Sequence, residues 1–89
     1  MKFKDGYKEK EVINKQLLLR NGEISINNSF TDFVVSKTDG SWVITFSYLQ
    51  SKGIKLKAKD NSVRRFARLN GVESFMRKIK ISTFLVELA

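Results

Sequence analysis

Lysine and arginine are the residues whose number and spacing could do chemistry in this sequence. The chain of 89 residues carries 17 of them against nine aspartates and glutamates, which gives a formal net charge of +8. Residues 52–80 hold ten of the cations and only two carboxylates, a balance of +8, so the rest of the chain is neutral. This concentration predicts a positive surface that attracts an anionic partner. A solvated basic face that only maintains solubility is the other interpretation.

The middle of this basic segment has the pattern of a β-hairpin. Residues 53–59 alternate between apolar residues and lysines, which is typical of a strand with one face in solvent. A two-residue turn at 60–61 would bring residues 62–69 back as the second strand. In that register one face displays cations together with Phe66, whereas a shift by one residue would bury Phe66 and expose Arg65.

Such a face suits a polyanion. Cations neutralise phosphates with release of counterions, and an exposed aromatic ring can stack on a base. We therefore predict a non-enzymatic nucleic-acid-binding module that contacts mainly the backbone of DNA or RNA. The predicted binding residues are Lys55, Lys57, Lys59, Arg64, Phe66, Arg68, Arg77, Lys78 and Lys80. The alternative is a protein-interaction module, an inhibitor or accessory subunit that docks on an acidic protein or extends a partner's sheet.

The residue types that most enzymes need are missing. The sequence has no histidine and no cysteine, which excludes Ser-His and Cys-His nucleophile pairs, thiolates and imidazole metal ligands. The carboxylates are scattered along the chain, so we expect no catalytic residue, no metal and no cofactor. A third hypothesis, a carboxylate-dependent enzyme, would have to use Asp32, Asp39 or Glu87.

Length and hydropathy bear on location and assembly. No stretch has the about 20 consecutive apolar residues that cross a bilayer, and residues 1–12 are charged without an apolar signal region. We expect a cytoplasmic protein without membrane insertion. Because so short a chain buries only roughly 60 to 65% of its unfolded surface, association as a homodimer would add stability.

The dipeptide Asn21-Gly22 predicts a tight turn between two apolar stretches. In a two-residue hairpin Arg20 lies opposite Glu23. A competing interpretation is a helix over residues 8–20 that ends with Gly22 as its C′ residue.

Asp39-Gly40 predicts a second hairpin, with arms over residues 33–38 and 41–48 that are rich in strand formers. Counting outward from the turn places Val35 opposite Ile44 and Phe33 opposite Phe46. The residues expected on the core face are Phe33, Val35, Trp42, Ile44, Phe46 and Tyr48.

Apolar residues between positions 72 and 79 recur with the period of an α-helix. The residues at positions i, i+3, i+4 and i+7 are Val72, Phe75, Met76 and Ile79. This spacing predicts a helix that begins near residue 71, with Asn70 as its N-cap. Residues 83–88 then predict a closing strand.

Together these elements predict one small α+β domain over residues 1–89. Its antiparallel β-sheet is a meander of hairpins, with one C-terminal helix packed on a face and a closing strand. Residues 1–14 form a mobile arm or a short helix.

The last part of the chain has a pattern of its own. It combines Arg64-x-Phe66-x-x-Leu69, the helix face that begins at Val72, and Phe84-x-Val86. In this pattern residues 56–88 resemble the C-terminal part of small uncharacterised proteins carried by plasmids and other mobile elements. The resemblance implies a mobile-element origin and assigns no function or site residue.

Overall fold

Within residues 5–26 and 29–87, which the structure describes, the computed structural model contains seven strands and two helices. In chain order they are β1 (Gly6–Lys8), α1 (Glu9–Gln16), β2 (Leu17–Arg20), β3 (Glu23–Ile26), β4 (Phe30–Thr38), β5 (Ser41–Tyr48), β6 (Ser51–Lys57), α2 (Leu69–Lys78) and β7 (Leu85–Glu87). Neither helix of these described ranges has the length and apolar character needed to cross a membrane.

Five of the strands form one sheet in the order β1-β6-β5-β4-β7. The three central strands are antiparallel neighbours, as in the predicted meander, whereas β1 and β7 pair in parallel with β6 and β4. Strands β2 and β3 form a separate two-stranded sheet. The predicted α+β class with a C-terminal helix is therefore confirmed. The closing strand is β7, and residue 88 of its predicted range lies outside the described residues.

The hairpin of β4 and β5 forms the centre of the sheet, as the sequence predicts. Its turn residues Asp39 and Gly40 have φ angles of 50° and 79°, the positive values that a type I′ turn requires. Val35 lies opposite Ile44, and both are buried. The turn dipeptide thus sets the register of the core strands.

A β-bulge in β4 changes which residues face the core. The pairing with β5 shifts between Thr31 and Val34, so Asp32 and Phe33 together oppose one residue of β5. Asp32 takes a positive φ of 54° at this point. Because of the extra residue, Phe30 and Phe33 are both buried although they lie three positions apart. The core face predicted from strict alternation along the strand therefore did not include Phe30.

The hairpin of β2 and β3 is also confirmed. Asn21 and Gly22 have φ angles of 51° and 78°, and Arg20 lies opposite Glu23. The competing helix over residues 8–20 is wrong in its extent, because α1 ends at Gln16 and the chain continues directly as a strand.

Residues 5–14 belong to the folded domain. They form β1 and most of α1, a short helix, which is one of the two alternatives that the sequence left open; residues 1–4 lie outside the described residues. Tyr7 and Val12 are buried in the core. The ring of Tyr7 makes edge contacts with Phe30 and Tyr48 at centroid distances of 5.6 and 5.5 Å. These contacts anchor the first strand.

One hydrophobic cluster joins the sheet to both helices. Its buried members are Tyr7, Val12, Phe30, Phe33, Val35, Ile44, Phe46, Ile54, Leu56, Phe66, Val72, Phe75, Met76 and Ile79. The cluster includes the whole predicted face of α2 and four of the six residues predicted for the second hairpin. The other two, Trp42 and Tyr48, are half-buried against it.

The predicted return strand over residues 62–69 is wrong. This segment is irregular and meets the sheet at two isolated bridges, Val63 with Lys57 and Phe66 with Trp42. On one side β6 pairs with β1, and on the other it pairs with β5 from Ser51 to Lys55. Only the end of β6 is left on the second side, and there Lys57 meets Val63 in a single bridge.

The turn after β6 is one residue longer than predicted. The amide of Ala58 donates to the carbonyl of Ser62 at 2.7 Å, which leaves three residues in the loop. The last of them, Asn61, has a positive φ of 73°, as is common in three-residue hairpin loops. The resulting one-residue shift turns Phe66 inward and leaves Arg65 exposed.

Helix α2 begins earlier than predicted. Its first residue is Leu69 and its N-cap is Arg68, two residues before the predicted start near residue 71, so the prediction of Asn70 as N-cap is wrong. Leu69 packs half-buried against the core, which favours the longer helix. A Cβ on Gly71 would lie 3.1 Å from Cδ2 of Phe66. The glycine therefore allows the helix to approach this ring closely.

Gln16 is a polar residue in the core, and its substitution gives a test of stability. Its side chain is fully buried, and its amide Nε2 and Oε1 have no hydrogen-bond partner in the described part of the chain. A buried polar group without a partner costs about 1 to 3 kcal/mol. We expect Gln16→Met, which keeps the length of the side chain, to raise the free energy of unfolding by about 1 to 3 kcal/mol in urea denaturation.

Gln50→Met in the exposed turn between β5 and β6 is the matched control and should change stability little. A lower unfolding midpoint for Gln16→Met would contradict the interpretation of the buried amide.

Candidate nucleic-acid interface

A groove lies where the end of β6 meets the junction of β1 and α1. Its volume is about 620 Å³. The lining residues are Lys8, Glu9, Lys10, Ile13, Lys57, Ala58, Lys59 and Arg64. Five of these eight residues are cations and one is a carboxylate. We call this site the basic groove.

The parallel pairing of β1 with β6 brings two parts of the groove together. It aligns Lys8 with Lys57 on neighbouring strands. A Cβ on Gly6 would lie 2.7 Å from the carbonyl oxygen of Lys55, so the strands can approach this closely because residue 6 is glycine. The amide of Lys8 then donates to Oε1 of Glu11 at 3.0 Å, which stabilises the start of α1.

Lys57 is held by an ion pair with Asp5. Its Nζ donates to Oδ1 of Asp5 at 2.8 Å, and its side chain is only 15% exposed, whereas that of Asp5 is 84% exposed. The hydrogen bond and the charge of Lys57 hold the pKa of Asp5 below its ordinary value. Lys57 is thus a positioned cation whose charge is already partly neutralised.

The loop after β6 places Lys59 and Arg64 on the other side of the groove. The carboxylate of Asp60 accepts hydrogen bonds from the hydroxyl and the amide of Ser62 at 2.6 and 3.1 Å. These two bonds lower the pKa of Asp60. The amide of Arg64 donates to the carbonyl of Leu56 at 2.9 Å, which ties the end of the loop to the sheet.

Phe66 does not present the stacking surface that the sequence predicted. Its side chain is only 6% exposed, and its backbone exchanges two hydrogen bonds with Trp42, of 2.8 and 2.9 Å. The guanidinium of Arg64 lies over the Phe66 ring, with Cζ 4.4 Å from the centroid. Nη1 of Arg64 also donates to the carbonyl of Arg65 at 2.9 Å. Arg64, and not Phe66, is therefore the residue that faces the groove.

Of the other predicted binding residues, three form part of the groove and the rest lie outside it. Lys57, Lys59 and Arg64 line it. Lys78 reaches its rim through an ion pair with Glu9 at 3.4 Å.

The predicted residues outside the groove are spread over β6 and α2. Lys55 is exposed on β6, Arg68 occupies the N-cap position of α2 and Lys80 is exposed just after the end of that helix. Arg77 lies 3.9 Å from Glu73 in an exposed i,i+4 ion pair. The cations of the segment are therefore only partly convergent.

Sequence reasoning missed the cations from the start of the chain. Lys8 and Lys10 line the groove but lie outside the basic segment 52–80. The local signal was the pair of Lys8 and Glu11 at capping-box spacing before an apolar residue. That signal predicts the start of a helix. The sequence around residue 8 does not indicate with which strand the residues before the helix pair.

Most of the groove's cations form no ion pair within residues 5–26 and 29–87. Among the groove residues, Lys57 and Glu9 form ion pairs, whereas Lys8, Lys10, Lys59 and Arg64 form none.

Across the same described ranges, no three carboxylates lie close enough together to hold a metal ion. Comparisons with protein-family models, with curated proteins and with solved structures found no match to the chain.

The lowered pKa of Asp5 makes a prediction about acid stability. A carboxyl whose pKa is depressed by folding stabilises the protein above its ordinary value of 3.8 and loses that contribution as the pH falls through the folded value. The stability difference between wild type and Asp5→Asn should therefore be present at pH 6 and shrink progressively below pH 3.8. Urea denaturation at a series of pH values measures it.

Lys57→Met supplies the control, because in that background Asp5 has lost its partner. Asp5→Asn should then produce a much smaller pH-dependent difference. A difference that is the same at every pH in the wild-type background would show that the ion pair does not stabilise the fold.

Proposed function

We propose that the protein is a non-enzymatic module that binds nucleic acid through the basic groove, mainly by contacts to phosphates. The observation that supports this proposal is the convergence of five cations from three separate segments on one groove with one carboxylate. A purely solubilising surface has no need for such convergence, because dispersed charges serve that purpose as well.

The crowding of like charges favours an anionic ligand. Lys8 and Lys57 occupy paired positions on adjacent strands, and like charges placed side by side in a sheet destabilise it. Asp5 neutralises only one of the two. A phosphate backbone relieves the remaining repulsion and releases its own condensed counterions, which contributes further free energy.

The side chains of the groove favour contacts to the backbone over reading of sequence. Four of its five cations are lysines, which act as flexible point charges and carry little geometric specificity. The chain also lacks the histidine and cysteine that most catalytic sites use. We therefore propose binding without catalysis and without strong sequence preference.

Fluorescence anisotropy with short labelled oligonucleotides at several salt concentrations tests the proposal. For four or five neutralised phosphates, the slope of log K against log[salt] should lie between about −3 and −4.5, depending on the strandedness of the ligand. Absence of binding to single and double strands at low salt would rule out this function.

Charge reversal in the groove should weaken binding while a matched change elsewhere does not. Lys59→Glu should lower the affinity at least about tenfold at physiological salt. Lys52→Glu is the control: Lys52 lies near the start of β6, five residues or roughly 17 Å before Lys57. At that distance a charge is largely screened, so an effect within about twofold is expected. Equal losses for both variants would indicate a diffuse charge effect.

Asp5 competes with a ligand phosphate for Lys57, and its removal should increase affinity. Asp5→Asn frees the ammonium and should raise the affinity several-fold under the same conditions. Glu87→Gln makes the same charge change on β7, at the opposite edge of the sheet from β1, and is the control. If both variants raise the affinity equally, net charge and not the groove determines binding.

A second candidate function, protein interaction, is favoured by the apolar edge strand β7. Its residues Leu85 and Val86 are 67% and 43% exposed, and its outer edge pairs with no strand of the described chain. An exposed edge of this kind can accept a partner's strand. Binding of a protein that is insensitive to Lys59→Glu but lost on Val86→Lys would support this function.

A further inference from the structure

We infer that the ligand of the basic groove is a single-stranded nucleic acid, and that Arg64 is the surface on which one unpaired base stacks. This inference rests on the proposed function and adds the class of nucleic acid and the residue that selects it. Arginine guanidinium planes stack on exposed bases in single strands, whereas the bases of a duplex are covered by their neighbours.

Three contacts hold Arg64 in place. Its guanidinium lies over the Phe66 ring at 4.4 Å, and Nη1 donates to the carbonyl of Arg65 at 2.9 Å. Its own amide is bonded to Leu56 at the end of β6. A side chain fixed in this way loses less conformational entropy when a ligand binds.

The ring beneath Arg64 is itself rigid. Phe66 is buried, and two backbone hydrogen bonds join it to Trp42 in β5. Helix α2 packs close to it at Gly71, where a Cβ would lie 3.1 Å from the ring. The cation therefore rests on a part of the core.

The rest of the groove has the mixed chemistry of a nucleotide. Ile13 and Ala58 contribute apolar surface, and the lysines stand around them. A base and its sugar offer apolar faces next to a charged phosphate, so both kinds of lining are used at once. The volume of about 620 Å³ falls within the size range of small-molecule sites and holds roughly one or two nucleotides. A duplex can only lie across its mouth.

The test separates stacking from charge. Arg64→Lys keeps the positive charge but removes the planar group. The ligands are an oligothymidylate of about 12 nucleotides, an abasic strand of the same length and a duplex of the same length. An oligouridylate distinguishes RNA from DNA as the source of the strand. Affinities are measured by anisotropy at one fixed salt concentration.

We expect Arg64→Lys to weaken binding of the thymidine or uridine strand about five- to tenfold, a loss in the range reported for one stacked base. Binding of the abasic strand and of the duplex should change less than about twofold, because charge is conserved. Arg20→Lys makes the same change on β2, in the separate two-stranded sheet, and should leave all four affinities unaltered. Circular dichroism and thermal unfolding verify that each variant is folded.

Two results would overturn the inference. One is a wild-type protein that binds the abasic strand or the duplex as tightly as the strand with bases. The other is an equal effect of Arg64→Lys on all ligands. Either result leaves backbone binding intact, whereas absence of binding to every oligonucleotide removes the proposed function itself.

Discussion

The parallel pairing of β1 with β6 is the interaction on which the basic groove depends. It places Lys8 beside Lys57 and directs the following residues into α1, whose first turns form one wall of the groove. The pairing is anchored in the core by Tyr7, whose buried ring makes edge contacts with Phe30 and Tyr48. Burial of a large apolar side chain stabilises by about 1.5 to 3 kcal/mol, and an aromatic pair adds about 0.5 to 1.5 kcal/mol. The core thus positions the charges.

That anchorage explains how the protein tolerates a cluster of like charges. Two exposed charges 4 Å apart repel each other by about 1 kcal/mol in water, and the repulsion is smaller at the larger distances typical of mobile lysines. The aromatic packing of β1 exceeds this cost. Asp5 offsets part of it by pairing with Lys57, whose side chain is only 15% exposed. The fold can therefore maintain the unpaired charge of the other cations without a ligand.

Local sequence patterns predicted the elements whose conformation depends on residues that are neighbours in the chain. Asn21-Gly22 and Asp39-Gly40 both adopt the positive φ angles expected of their turns, and the helical spacing from Val72 identified the buried face of α2. The three residues of β1 carry no alternation, so no local pattern shows which strand they join. Its pairing with β6 is a long-range contact that completes the groove. A second long-range contact limits the predicted strand over residues 62–69, because β5 pairs with β6 from Ser51 to Lys55 and leaves only the end of β6 for Val63.

The error about Phe66 followed from one residue in a loop, and its consequence is chemical. With three residues between Ala58 and Ser62, the side chain of Phe66 points into the core and can no longer meet a base. The ring still acts on the groove, because its electron-rich face attracts the guanidinium above it; such contacts contribute about 0.5 to 2 kcal/mol. The sequence predicted Phe66 and Arg64 side by side on one surface. In the structure the guanidinium of Arg64 instead lies on top of the buried Phe66 ring. A planar cation fixed on a buried ring combines a positive charge with a flat surface, and the lysines around it supply charge alone.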